Sequence, residues 1–384
     1  MYQGNNAIKL KLCQLFKNRK TYGDPNLQVW SVTMDRGVVL RNTLDKKMAP
    51  DISPNKCLLI EPGDIVYNMM RMWQGAVAVC KKRGVVSPAY VVCKPGNNID
   101  SVFAYYFFKS KPILHRLKSY SFGITGDRLR LYYKDFASIL VSLPPFPEQK
   151  KIAEILSSWE EAIEQTRNLI EAKRRRKKAL MQQLLTGKRR LAGFNNKWKE
   201  FALGKLFNER VEPNNHHLPL LAITGNRGII PAEEIDRRDS SSADKSRYKK
   251  IMPGDIGYNT MRMGQGVSAV SKLEGIVSPA YTVCIPKDDV DADFMGYLFK
   301  YPPIIHLFWR HSQGLVSDTL NLKFPHFAKV KVRIPSIVEQ RSIVNVLSDS
   351  DREILIHEKK LSALEKQKRG LMQKLLTGEI RVKI

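Results

Sequence analysis

Pro62–Pro95 reads PGDIVYNMMRMWQGAVAVCKKRGVVSPAYVVCKP, and Pro253–Pro286 reads PGDIGYNTMRMGQGVSAVSKLEGIVSPAYTVCIP. The two stretches agree at 23 of 34 positions, at an offset of 191 residues. That offset also aligns Leu15-Phe16 with Leu206-Phe207, Arg36-Gly37 with Arg227-Gly228, and Gly123 with Gly314. Further along, it puts Glu148-Gln149 on Glu339-Gln340 and Leu184-Leu185-Thr186-Gly187 on Leu375-Leu376-Thr377-Gly378. Two copies of one unit therefore fill nearly all of the 384-residue chain. An internal repeat constrains the architecture before any local reading does.

Each copy has two parts. In the first, short apolar runs such as Val85-Val86 and Tyr90-Val91-Val92 sit between Gly and Pro, which reads as short strands. Helical stretches are expected at 101–117 and 292–308, so the fold class is α+β. In the second part, no Gly or Pro follows Pro147 until Gly187. Seam residues recur there at Ile152, Leu156, Trp159, Ile163, Thr166 and Ile170, steps of three and four, then at Leu180 and Leu184, which predicts a coiled-coil seam. The second copy repeats this from about Val338 to Thr377. The expected organisation is a globular domain over 1–143, a spacer helix over 144–190, a second globular domain over 191–334 and a distal helix over 335–384.

A long helix with an apolar stripe needs a partner, and the obvious partner is its own copy. Antiparallel pairing returns the second helix to the first domain. The expectation is two similar globular domains separated by two long antiparallel helices, with a pseudo-twofold axis. Such symmetry suits a DNA duplex, whose half-sites are read by twofold proteins.

The chain carries 64 Lys and Arg against 37 Asp and Glu, a formal charge of +27, which asks for a polyanionic partner. The first 191 residues hold 34 basic and 15 acidic residues, the remainder 30 and 22. Part of that asymmetry is Lys173-Arg174-Arg175-Arg176-Lys177-Lys178, either a solvated helix face or a contact for DNA phosphates or an acidic partner. Five cysteines without a CxxC argue against disulfides and structural zinc. The start lacks an apolar signal segment and no run is long enough to span a membrane, so a cytoplasmic location is expected. No phosphate-binding loop and no metal spacing of His and carboxylates is found. Leu143-Pro144-Pro145-Phe146 lacks the Asn that an amino-methyltransferase tetrapeptide needs.

Base edges are read by Arg on guanine and by Asn or Gln on adenine. Residues kept in both copies are candidates for scaffold or for contacts to any DNA: Asn68/Asn259, Arg71/Arg262, Gln74/Gln265 and Gly75/Gly266. Met70/Met72 and Met261/Met263 are expected in the core. Residues that differ are candidates for discrimination. One divergent pair of segments holds Arg36 and Arg41, then Arg227. The other holds Arg128 and Arg130, then Arg310, Gln313 and Asn321, with Arg130 standing where the second copy has Asn321.

PPFPEQKKIAEIL at 144–156, VEQRSIVNVL at 338–347, the helix ends LMQQLLTGKRRL at 180–191 and LMQKLLTGEIRV at 371–382, and GVVSPAYVV and GIVSPAYTV at 84–92 and 275–283 resemble the specificity (S) subunit of type I restriction-modification systems. The resemblance covers nearly the whole chain. It implies two target recognition domains, each reading half of a split, asymmetric double-stranded DNA site, with the helices measuring the gap. It also implies docking of two modification (methyltransferase) subunits and of restriction (endonuclease and translocase) subunits. S-adenosylmethionine, ATP and Mg would belong to those partners, with no cofactor and no catalysis in this chain. Two other readings stay open: a non-specific coiled-coil nucleic-acid-binding architectural protein, and a self-sufficient DNA methyltransferase or nuclease.

Overall fold

The computed structural model describes residues 2, 7–24, 26–34, 37–44, 54–126, 128–235, 244–315 and 319–384. They group into two units, Met1–Arg167 with Lys359–Ile384, and Asn168–Glu358. Two long helices, Phe146–Leu184 and Ile337–Thr377, each lend one half to each unit.

In unit 1 a four-stranded antiparallel sheet runs in the order Phe16–Asn18, Tyr90–Pro95, Ile65–Asn68, Val77–Val79. A second sheet, ordered Gly37–Leu40, Val29–Thr33, Gly84–Val86, Leu58–Ile60, contains one parallel pairing. A third pairing joins Ile8–Lys11 to Leu140–Leu143 just before the long helix. Unit 2 repeats the first sheet with Phe207–Glu209, Tyr281–Pro286, Ile256–Asn259 and Ser268–Val270. Its register is also repeated: Ile65 faces Cys93, and Ile256 faces Cys284.

The Pro-Gly-Asp turn explains part of the identity. Gly63 and Gly254 have φ of 90° and 92°, a conformation that side chains disfavour. The following Asp64 is buried, accepting from the Glu61 N–H at 2.9 Å and from Arg19 at 2.8 and 3.1 Å. Asp255 does the same with the Met252 N–H at 2.8 Å and Arg210 at 2.7 and 3.1 Å. A buried carboxylate needs such a charge partner. In return, the hydrogen bond to Asp255 raises the Arg210 pKa above its ordinary value.

Each expected helical stretch is two helices: Ser101–Phe108 and Lys111–Ser119 in unit 1, Ala292–Leu298 and Pro302–His311 in unit 2. The second of each carries proline in its first turn, where it fits as it would not in a helix interior. Their phenylalanines fill the cores together with Phe16, Tyr67 and Phe136, or with Phe207, Tyr258 and Phe327. Phe107 becomes Leu298 while Leu117 becomes Phe308, an exchange that conserves volume within one core.

Within each unit the halves of the long helices pair antiparallel. In unit 1, Ile152, Leu156 and Ile163 are buried, and Leu375 and Leu376 join the same core as Ile152 and Leu156. Lys368 pairs with Glu160, and Arg167 with Glu365 at 2.6 Å, so one sequence rises as the other falls. In unit 2, Leu184 and Leu185 join Ile343 and Leu347. There Lys173 meets Glu353 at 2.8 Å, Arg174 meets Glu358 at 2.6 Å, and Lys177 meets Asp351 at 2.5 Å. Half of the basic block is thus spent on helix pairing, while Arg175, Arg176 and Lys178 stay exposed.

The kept Glu-Gln pair secures each helix start. Gln149 accepts from the Asp100 N–H at 3.1 Å and donates to the Asn98 and Pro144 carbonyls, as Gln340 does for Asp291, Asp289 and Pro335. The adjacent buried Glu148 and Glu339 each hold an arginine from beyond the other helix's end: Arg381 at 2.7 Å twice, and Arg190 at 2.6 and 2.7 Å. Gly187 and Gly378, at φ 68° and 79°, end the helices in the left-handed conformation expected just past a C-terminus.

Candidate nucleic-acid interface

The kept segment Asn68–Gly75 forms a loop around the short turn Met72–Gln74. Asn68 accepts from the Met70 N–H at 2.9 Å, and Asn259 from the Met261 N–H at 3.0 Å, so this Asn shapes the loop. Gly75 and Gly266 close it at φ 90° and 76°. Only one methionine of each pair is core. Met72 and Met263 are buried, but Met70 and Met261 are exposed at 45% and 55%, which corrects the expectation for them. The loop turns between them, so residues two apart no longer share a face. Arg71, Gln74, Arg262 and Gln265 are exposed and make no side-chain hydrogen bond or ion pair among the described residues. Their identity in both copies is therefore not explained by folding.

A hairpin stands beside each loop. In unit 1 its neck is the bridge Phe122–Arg130, with backbone bonds of 3.0 and 2.8 Å. In unit 2 Gln313 and Asn321 exchange two bonds of 2.8 Å. The Leu131 N–H donates to the Met69 carbonyl at 2.9 Å, and Leu322 to Thr260 at 2.8 Å, which fixes hairpin to loop in both units. Arg128, Arg130, Gln313 and Arg310 are exposed, the last on the final turn of Pro302–His311. Asn321 is half-buried and lines a cleft of about 430 Å³ with Thr260, Met261 and Lys323, over the Glu209–Lys249 ion pair.

The other divergent segment reaches the same loop through a lysine. Lys300 donates to the Gly225 carbonyl at 3.0 Å and to Gly266 at 2.9 Å, and burial lowers its pKa. Lys109, its copy, donates to the Met34 carbonyl at 3.0 Å. Arg227 lies on this turn, but its guanidinium is held by Glu234 at 2.6 Å. Arg41 is half-buried at the start of the turn Arg41–Thr43, where its charge opposes the rise that burial imposes on the Cys57 thiol pKa. Arg36 lies outside the described residues.

Sequence reasoning overlooked Lys109 and Lys300, whose identity at the common offset was the available signal. It also overlooked an exchange of aromatics. Trp73 of the first loop donates to the Met70 carbonyl at 3.1 Å and carries Lys118 over its ring at 5.3 Å. The second copy has Gly264 and Trp309 at those positions, and a Cβ on Gly264 would lie 3.3 Å from Trp309. Each unit thus puts one tryptophan next to the kept Arg–Gln loop, from opposite elements. Among the described residues, no group of three His, Cys, Asp or Glu could hold a metal ion, and no helix is long and apolar enough to cross a membrane.

The two copies of the repeat match, one after the other, the description "Type I restriction modification DNA specificity domain", at residues 14–173 and 195–366. The chain is similar to the type I restriction enzyme MjaVIII specificity subunit of Methanocaldococcus jannaschii, at 26% identity over 360 residues, 86% of this chain and 82% of that one. A putative MjaX specificity subunit of the same organism is 27% identical over 268 residues, 63% of this chain and 60% of its own length. The fold is shared with a crystal structure of the S subunit of a type I restriction-modification system from M. genitalium (TM-score 0.60, 16% identity, 100% and 99% of the two chains covered). It is also shared with the HsdS subunit from Thermoanaerobacter tengcongensis (TM-score 0.53, 17% identity, 98% of each). With both copies of the repeat matched over most of its length, this chain belongs to the family of type I restriction-modification DNA specificity subunits.

Proposed function

We propose that the loop and hairpin of each unit contact one half of a bipartite, asymmetric double-stranded DNA site. The observation that carries this reading is the pairing of constant and variable surface. Exposed Arg71 and Gln74 recur as Arg262 and Gln265 without a folding role, and each pair is bonded through the backbone to a hairpin whose residues differ. The constant residues suit phosphates, which every sequence offers, and the variable ones suit base edges. Arg128 and Arg130 would serve one half-site, and Arg310, Gln313 and Asn321 the other. Arg227, whose guanidinium is held by Glu234, and the half-buried Arg41 are weaker readers.

In this reading the chain performs no catalysis. It docks two modification subunits, which supply S-adenosylmethionine-dependent methylation, and restriction subunits, which use ATP and Mg, all in the cytoplasm. The lengths of the two helices set the gap between the half-sites. Long-read methylation mapping of the source cell, with and without this gene, tests the proposal. The expected result is loss of one bipartite methylated motif on deletion, and an unchanged methylome would overturn it.

A further inference from the structure

The residue after the neck glycine of each hairpin has an aliphatic side chain with no contact to shield it. Ile124 and Leu315 are both fully exposed, and they occupy the same position at the 191-residue offset. A single exposed leucine on a protein surface needs no explanation. Here, however, the exposure recurs at one register of a segment whose polar positions differ between the copies: at the common offset Phe122 aligns with Gln313, Arg128 with Thr319 and Arg130 with Asn321. The two limbs of each hairpin also lie close together beside these residues. A side chain on Gly123 would collide with the Arg128 carbonyl, and one on Gly314 would lie 2.7 Å from the Thr319 carbonyl. Glycine at both places lets the two limbs of the hairpin approach closely beside the bridged pair.

We propose that Ile124 and Leu315 are specificity-determining residues that read thymine, each packing on the C5-methyl group of one thymine in its own half-site. The inference rests on the DNA-contacting reading of the loop and hairpin. A hairpin two close backbone limbs wide fits the major groove, about 12 Å wide, and not the narrower minor groove. In the major groove the thymine methyl is the apolar feature on a base edge. The flanking chemistry fits that groove: Arg128 and Arg130 behind Ile124, and Gln313 and Asn321 at the neck behind Leu315, are donors and acceptors for the neighbouring base pairs.

The test replaces single thymines by deoxyuridine, which removes only the methyl group. The full chain, purified with its co-purifying subunits, is titrated with the duplex carrying its mapped motif, with that duplex substituted at each thymine in turn, and with a scrambled duplex. Substitution at one position of each half-site is expected to weaken binding about fourfold, the worth of one buried methyl group. Ile124→Ala should abolish that sensitivity in one half-site and leave it in the other, and Leu315→Ala should do the reverse. Both side chains are exposed, so thermal unfolding of the variants should match the parent. A half-site without thymine, binding indifferent to deoxyuridine, or variants that keep the parent's sensitivity would overturn the inference and leave the DNA-contacting reading standing. Equal binding of motif and scrambled duplexes by the parent would instead overturn the reading itself.

Discussion

Arg190 and Glu339, 149 residues apart in the chain, are joined by two parallel hydrogen bonds of 2.6 and 2.7 Å, and the carboxylate is almost completely buried. Arg381 and Glu148 repeat the arrangement, with the Tyr2 hydroxyl donating to Glu148 at 2.9 Å as well. Each clamp ties the residues following one long helix to the start of the other, so neither unit is complete without both helices.

Removing one partner of such a pair strands a buried charge. Arg190→Ala should therefore destabilise the chain by about 3 kcal/mol, seen as a lower midpoint in urea unfolding. Arg190→Lys should recover only part of the loss, because an ammonium cannot match the carboxylate with two parallel bonds. Unchanged stability in the alanine variant would mean the clamp is incidental.

Lys177 sits between Asp351 at 2.5 Å and the ring of Tyr297 at 5.1 Å, and Tyr297 donates to the other oxygen of Asp351 at 2.7 Å. Lys368, Glu160 and Tyr106 form the corresponding group in unit 1. Lys177→Glu should destabilise by about 1 kcal/mol, and adding Asp351→Lys should restore most of it. High salt should shrink both effects. A double variant no better than the single one would contradict an electrostatic origin.

Arg71→Ala and Arg262→Ala should weaken binding to target and scrambled duplexes alike, and each should lower the slope of log affinity against log salt by about one. Competition binding at several salt concentrations measures this. Loss confined to the target sequence would reassign these residues to base reading.

Arg130→Ala and Asn321→Ala should do the opposite. Each should cost about 1–3 kcal/mol on the intact target and relax preference in one half-site only. Uniform weakening across all duplexes would falsify their role as readers.

The helix pairing refines how a ruler function is tested. An insertion in one helix alone would break the register of Lys173, Arg174 and Lys177 with Glu353, Glu358 and Asp351. Four residues inserted after both Arg167 and Glu358 add about 6 Å of helix. The methylated motif should then show a longer gap between its halves, and an unchanged gap would contradict the ruler.

The duplication, the mixed α+β units and the two long helices were legible in the chain alone. An internal repeat supplies its own comparison, and an apolar stripe at steps of three and four has one local solution. The helix bounds Phe146–Leu184 and Ile337–Thr377 follow from prolines before and glycines after, which act within a turn of themselves. What local pattern could not settle were pairings between distant residues. The basic block at 173–178 read as a solvated helix face or a contact for an outside anion, and only the folded unit shows acidic residues 351–358 already meeting half of it. The Asp64 and Asp255 carboxylates meet Arg19 and Arg210, 45 residues away in each case, only through burial in the fold. The two methionines of each loop looked alike, and the loop's reversal buried one and exposed the other. Hydrophobic period and turn chemistry depend on neighbours in sequence, whereas desolvation and charge pairing depend on neighbours in space, and those exist only after the chain has folded.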